Sequence, residues 1–553
     1  MKKVFVKKLP KANFEGIDPL VAIILAGRGM KNPLEIKEYI FGGKELLHDP
    51  ALLRGAKEAC EQIEAIIKSN KQIIVYGDYD ADGVCATAIM CLAISELGGK
   101  VNAKLPDRVT NGYGLTKEGI ANMKKRRTAM IITVDNGITA IDEIAYANSL
   151  GIKVVITDHH QPGETLPVCE AIVNPNVEGE TYPYPYLAGA GVAFKIVCLL
   201  YERAGFPKDY GHRFLDLAAI GTVADVVPLT GENRIIVKEG LKLMRSLTRP
   251  GIEKLFALFS TSVGMVTSGD IAFKLAPAIN AAGRIIDNGS VKSLSLLVAS
   301  EDKACHYANE LFAANQERKA LVESHLEKAR QSYDGSKVYV YCDSSVPEGI
   351  AGLIAGKLKE ELLKPVIVLA EGLENFKGSG RSVQGFDMVK ALRACSVHLK
   401  KYGGHPLAAG LSIEKDLACV DSFRKAINDY ADEIGFEIGE LESITVDAVL
   451  PQDKISLTLA QRLQVMEPFG EKNPKPMFLI KGFKTDGHLF LTDKKHVKFY
   501  GKTGGAIAFG MAAEYEALGK PGEIDLAATI GINTFNGKSD PQLEVVAFAK
   551  EAN

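Results

Sequence analysis

A chain of 553 residues is more than one hydrophobic core can fill and implies three or four domains. With 46% apolar and 24% charged residues it has an ordinary soluble globular composition, and its longest uncharged apolar stretch, VCATAIMCLAI, is too short to span a bilayer. The net charge of −2 leaves any nucleic-acid binding to local basic patches, and nine cysteines without a CxxC pair exclude a zinc ribbon or a disulfide framework.

The start, MKKVFVKKLPKANFEG, is basic but has no apolar h-region, so it is not a secretory signal and the cytoplasm is the default compartment. From 72 to about 230, short apolar runs (QIIVYG, KVNAKLP, AMIITV, KVVIT, EAIVNP) alternate with helical patterns, which predicts a doubly wound parallel sheet. The first run leads into GDYDADG, whose Asp78, Asp80 and Asp82 mimic the start of an EF-hand loop. That reading fails: the twelfth loop residue is Ile89 rather than a bidentate Glu, and a strand, not a helix, precedes it. The aspartates therefore end a strand, where open α/β sheets place their ligands. Two further strands end in acids, Asp135 in ITVDNG and Asp158 with His159 and His160 in VITDHH. After the KVNAKLP strand, DRVTNGYG at 107–114 sets Arg108, Asn111 and Tyr113 in a loop on the same edge; an ordinary glycine turn would look alike. HRFLDLAAIGTVA at 212–224 reads as a buried helix.

The stretch 301–332 has no Gly or Pro and predicts a long connector helix. A second α/β pattern runs from KVYVYC at 337 to about 430. Within it lies a basic segment, 375–405, where Lys377, Arg381, Lys390, Arg393, Lys400 and Lys401 face one acid, Asp387. There GSGRS offers a small-residue nest of amides with Ser379 and Arg381, suited to a terminal phosphate. GGHPLAAG presents His405, which could equally be structural. From 441 the pattern changes to short strands broken by Gly, Pro and Asp, predicting an OB-like β-barrel. The expected division is 1–232, 233–333 (helical connector), 334–435 and 441–553.

If the first sheet is parallel, Asp78, Asp80, Asp82, Asp135 and His159 meet along one edge. So many carboxylates raise one another's pKa unless cations neutralise them. Carboxylates with imidazole suit Mn²⁺ or Mg²⁺, and a carboxylate bridging two ions is the arrangement for in-line phosphoryl displacement. Asp135, on the central strand, is the expected bridge.

In this order, GDYDADG, VDNG, TDHH and GTVADVVPL resemble the four motifs of the DHH phosphoesterase family, and INAAGR, GSGRS, GGHPLAAG and PFGEKNPKP resemble its single-strand-specific exonuclease branch. The resemblance covers roughly residues 70–480. It implies a DHH domain, a connecting helix, a DHH-associated domain and an OB domain, with metal-dependent 5′-to-3′ hydrolysis of single-stranded DNA to mononucleotides in repair and recombination. It implies two ions held by Asp78, Asp80, Asp82, Asp135, His159 and Asp225, with His160 facing the scissile phosphate. It also implies a substrate path through Arg108, Asn111, Tyr113, Asn280, Arg284, Ser379, Arg381 and His405. On residue pattern alone Asp225 is a helix C-terminal residue, and Asp216 would serve as well. Single-stranded DNA is the expected partner, with a single-stranded-DNA-binding protein or a helicase beside it and no membrane. Two departures touch substrate grip: branch members usually carry a His before the glycine of the PEGIAGLIAG segment, where this chain has Pro347-Glu348, and the usual Pro-Arg-Ile-Asn is here Pro277-Ala278-Ile279-Asn280. The alternatives are a DHH phosphodiesterase for oligoribonucleotides or cyclic dinucleotides, and a catalytically silent single-strand-binding scaffold.

Overall fold

The computed structural model describes residues 2–10, 14–106, 114–247, 249–286, 288–437, 443–491, 494–501, 504–535 and 538–551. They form two compact units, one of residues 48–227 with 239–439, the other of 1–47 with 228–238 and 440–553.

The larger unit is built on two five-stranded sheets. In the first, β1 (Gln72–Tyr76), β2 (Lys100–Lys104), β3 (Thr128–Val134), β4 (Lys153–Thr157) and β5 (Ala171–Val173) are all parallel, in the order β2-β1-β3-β4-β5. The near-continuous apolar runs of β1, β3 and β4 suit strands buried on both faces, while β2, KVNAK, is the exposed edge. The expected doubly wound sheet is therefore present, with β3 at its centre. Helix α1 (Ala81–Glu96) is apolar almost all round because α2 (Gly189–Arg203) and α3 (Leu215–Ala224) both pack on it.

After α4 (Ala276–Ile285), helix α5 (Glu301–Gln331) is the long connector read from the sequence. The second sheet contains β6 (Tyr339–Cys342), β7 (Val366–Glu371), β8 (Asn375–Arg381), β9 (Lys401–His405) and β10 (Ala408–Glu414), in the order β9-β10-β8-β7-β6. Helix α6 (Glu348–Leu362) crosses between the parallel strands β6 and β7, and the rest is antiparallel.

The smaller unit contains the predicted C-terminal barrel, but also the N-terminus. The strand Lys2–Val6 pairs in parallel with Ile444–Val446 and with Lys538–Glu551. Val21, Ile24, Leu25, Ile36 and Ile40 share one core with Phe478, Phe483, Phe499 and Phe548. Residues 1–47 thus depart from the expected 1–232 division: local periodicity reveals a strand and helices but not which core they join. Arg234, 2% exposed, fastens the third segment of this unit by donating to the Tyr39, Met466 and Glu467 carbonyls at 3.0, 3.0 and 2.7 Å. On the barrel strand His496–Tyr500, Val497 and Phe499 are buried while Lys498 and Tyr500 face outward, the Lys498 ammonium 5.7 Å from the Tyr500 ring centroid. Among the described residues no helix is long and apolar enough to cross a membrane.

Candidate metal centre and terminal cleft

The acidic residues of the first sheet converge because each follows the carboxyl end of a parallel strand. Asp80 caps α1, its Oδ1 accepting from the Asp82 and Gly83 amides at 3.0 Å each. Asp82, in the first turn of α1, accepts from the Gly189 and Ala190 amides at 2.7 and 2.9 Å, so the N-terminus of α2 aims its dipole at a buried carboxylate. Two glycines make room: a Cβ on Gly221 would lie 2.3 Å from Asp82 Oδ1, and one on Gly189 2.5 Å from Asp135 Cβ. Asp135 follows β3 in a left-handed turn, φ 60°, its amide donating to the Thr157 carbonyl at 3.0 Å. Such strained conformations concentrate at functional sites. Asp225 ends α3 as its C-cap.

His159 Nε2 lies 3.0 Å from Asp135 Oδ1, 3.6 Å from Asp225 Oδ2 and 3.9 Å from Asp82 Oδ2. Three overlapping sets have ligand atoms within 4.8 Å of one another: Asp78 with Asp80 and Asp135; Asp82 with His159 and Asp225; and Asp135 with His159 and His160. Every metal ligand expected from the sequence is in these sets, and Asp135 joins two of them. Asp216 is not: it pairs with Arg249 at 2.7 Å.

The electrostatics are those of a site built for cations. Burial, then the neighbouring carboxylates, hold Asp82 and Asp135 well above the usual carboxylate range. The same causes push Asp225 up to about 7. Burial, then the charge of His160, push His159 down to about 4, which leaves it neutral and able to ligate at physiological pH. His160 goes the other way. Burial opposes its charge, but Asp158, 2.7 Å from Nδ1, outweighs it and with Asp225 and Asp82 raises it to about 9. Asp158 itself is fixed by the Ile138, His159 and His160 amides. Asp135 Oδ1 and His159 Nε2 are buried, face each other, and have no hydrogen-bond partner among the described residues. No lysine or arginine ion pair reaches Asp82, Asp135 or Asp225 among those residues. Oxygen donors with one imidazole, orphaned in this way, fit Mn²⁺ or Mg²⁺.

A cleft of about 370 Å³ is lined by Tyr79, Arg284, Glu348, Gly352, Lys377, Ser379 and Arg381, with other residues. Tyr79 sits between Asp78 and Asp80, so this cleft adjoins the metal group through one residue. Arg381 Nη1 donates to Ser379 Oγ at 3.1 Å and to the Gly380 carbonyl at 2.9 Å; Arg284 Nη1 donates to the Gly349 carbonyl at 2.7 Å. A Cβ on Gly352 would come 3.0 Å from both Arg381 Nη2 and Ser379 Oγ, so a larger residue on α6 would have to displace this pair.

GSGRS is not the loop nest read from the sequence. It lies on β8 between β7 and β10, and its amides serve the sheet ladders. The side chains still converge, because residues two apart share a strand face; that alternation also brings in Lys377, which the sequence reading had not assigned to this pocket. Asn280 does not line this cleft; its Oδ1 accepts from the Ala81 amide at 2.7 Å and holds the start of α1. Arg284, one turn later on α4, reaches the cleft. His405 lies at the exposed end of β9, opposite Ala408, and does not line the cleft. Arg108, Asn111 and Tyr113 fall outside the described residues. Asp158 was visible as a strand-end acid, but its hold on His160 was not.

Three domain families match the chain: the DHH family, N-terminal domain, over residues 72–222; the DHHA1 domain over 334–433; and the RecJ OB domain over 446–547. The single-stranded-DNA-specific exonuclease RecJ of Bacillus subtilis is 34% identical over 96% of this chain and 68% of its own length. The enzyme of the same name from Escherichia coli is 34% identical over 95% of each. RecJ from Thermus thermophilus, solved in complex with Mn²⁺, superposes with a TM-score of 0.84 at 30% identity, covering 100% of this chain and 80% of that one. The Mg²⁺ complex from the same organism gives 0.79 at 28%.

Proposed function

Because the chain belongs to the RecJ family of single-stranded-DNA-specific exonucleases, we propose that it hydrolyses single-stranded DNA from the 5′ end, releasing 5′-mononucleotides. The observation that carries this reading is the junction of the orphaned carboxylate–imidazole cluster with a cationic cleft through Tyr79. Asp78, Asp80, Asp82, Asp135, His159 and Asp225 would hold two divalent ions, Mn²⁺ or Mg²⁺, which would supply charge neutralisation at the phosphoryl oxygens and an acidified water as nucleophile.

The rest is done by the chain's own groups. Asp135 belongs to the set with Asp78 and Asp80, and its Oδ1 lies 3.0 Å from His159 of the set with Asp82 and Asp225, so it would fix the spacing of the two. His160, kept protonated by Asp158, donates to a non-bridging phosphate oxygen and balances charge that develops there. Arg381, Ser379 and Lys377 take the terminal 5′-phosphate, and Arg284 completes that wall. Tyr79, which lines this cleft and stands between Asp78 and Asp80 in the chain, would pack against the terminal nucleotide. Arg108, Asn111, Tyr113 and His405 stay in the proposal as contacts to the strand, and Asn280 as the residue that positions α1. The barrel captures longer strands. A DNA substrate places the enzyme in the cytoplasm, beside a single-stranded-DNA-binding protein or a helicase that supplies the strand. The rival reading, an oligoribonucleotide or cyclic-dinucleotide phosphodiesterase, leaves the barrel without a role.

The test is digestion of end-labelled single-stranded DNA, duplex DNA and RNA with Mn²⁺, Mg²⁺ or EDTA. Mononucleotides released from the 5′ end of single-stranded DNA, with metal only, are expected. Equal cleavage of RNA, or release from the 3′ end, would overturn the reading.

A further inference from the structure

The cleft proposed to hold the terminal phosphate contains one residue of the wrong sign. Arg284, Lys377 and Arg381 supply positive charge, yet Glu348 lines the same cleft. It is the first residue of α6, a helix whose N-cap, Pro347, offers no side-chain cap, so an acid there compensates the helix dipole. That alone would explain a glutamate at an exposed helix end. The Glu348 side chain, however, forms no hydrogen bond or ion pair with any described residue, and Glu348, Gly349 and Gly352 of this helix end all line the cleft. Gly349 and Gly352 follow on the same turn, and a Cβ on Gly349 would lie 2.9 Å from the Arg284 carbonyl, so the backbone bearing Glu348 is packed close to the cationic wall. The carboxylate is solvated but fixed in place at its stem.

We propose that Glu348 is a specificity-determining residue that weakens this enzyme's preference for a 5′-phosphate over a 5′-hydroxyl terminus. The inference rests on the reading of the cleft as the 5′-phosphate site. A terminal phosphate carries up to two negative charges, and entering the cleft brings it near a carboxylate that no cation neutralises. A 5′-hydroxyl end meets no such repulsion and can donate to the carboxylate. Like charges several ångströms apart in a solvated cleft change affinity by about three- to tenfold. The net effect is an enzyme that accepts both kinds of end, as broken strands present them.

The experiment measures kcat/KM of the full-length enzyme with Mn²⁺ on one oligonucleotide carrying either a 5′-phosphate or a 5′-hydroxyl. The variants are Glu348→Gln, Glu348→Asp and Arg381→Ala. Glu348→Gln is expected to raise the phosphate-to-hydroxyl ratio about three- to tenfold, less at high salt, while Glu348→Asp restores the parent ratio. A glutamate that only caps the helix would lower both efficiencies together and leave the ratio alone, which overturns the inference. Arg381→Ala separates the two levels. If it erases the phosphate preference while Glu348→Gln leaves the ratio unchanged, only the role of Glu348 falls. If the preference survives Arg381→Ala, the phosphate site is elsewhere and both fall.

Discussion

Asp225→Asn should make the metal-free protein more stable and the enzyme inactive. Burial and then Asp80 push Asp225 up to about 7 from an ordinary 3.8, and its side chain is 27% exposed. At about 1.4 kcal/mol per tenfold change, holding Asp225 charged without a cation costs at most ~4 kcal/mol. The folded state binds this proton more tightly than the unfolded chain. The parent's stability in EDTA is therefore greatest below pH 4 as far as this group is concerned, and is lost as pH rises towards and through 7. Asparagine keeps the shape and removes that loss. In EDTA at pH 8 the variant should unfold at higher urea or temperature than the parent, by up to ~4 kcal/mol, and the gap should shrink at pH 5.5. Added Mn²⁺ should reverse the order, because the parent alone keeps the full ligand set. Nuclease turnover should fall by at least about a hundredfold, since metal-borne charge stabilisation is worth several kcal/mol. An asparagine variant that is less stable than the parent at pH 8 in EDTA, or a gap that ignores pH, would refute the account of the cluster as a repulsive cage awaiting cations.

Asp135→Ala should abolish hydrolysis with circular dichroism unchanged, because Asp135 joins two ligand sets; turnover within tenfold of the parent would exclude its bridging role. Gly221→Ala, which puts a methyl 2.3 Å from Asp82 Oδ1, should weaken Mn²⁺ binding by more than tenfold in calorimetric titration, although the residue itself ligates nothing. Lys498→Ala with Tyr500→Ala should lower affinity for long single strands and flatten its salt dependence, read by fluorescence anisotropy, yet spare cleavage of very short ones. Cutting the chain at 441 is not an equivalent test, because it strips Val21, Ile24 and Ile36 of their core partners and should give insoluble protein.

The catalytic sheet was legible because a buried parallel strand writes itself as a β-branched run, and the ends of such strands are where side chains must meet. Asp78, Asp80, Asp82, Asp135 and His159 followed from that rule. Asp225 did not. Its pattern is that of any helix C-cap, and only the family resemblance preferred it to Asp216, which the structure ties to Arg249. GSGRS showed the opposite fault: composition rich in Gly and Ser suggested a loop, whereas Leu369 and Leu411 crowd Gly378 on β8, and Met388 packs against Gly380, so that small residues belong there. Asn280 has a structural task that the sequence did not show, holding the Ala81 amide, because sequence cannot tell a side chain that grips a backbone amide from one that grips a substrate. The home of residues 1–47 was invisible, since contacts separated by more than 400 positions leave no local trace.

The pairing of Lys2–Val6 with Ile444–Val446 and Lys538–Glu551 also bears on how the molecule is made. On a ribosome the first strand and the apolar helices after it emerge hundreds of residues before their partners exist, while much of the catalytic unit can already be assembling. For that interval Val21, Leu25 and Ile40 have no core to enter and must be shielded from other chains. The barrel unit thus completes its core only once residues 444–551 are made, although its strand Lys2–Val6 precedes the whole catalytic unit in the chain. A tag or truncation at either terminus would strike this one late step.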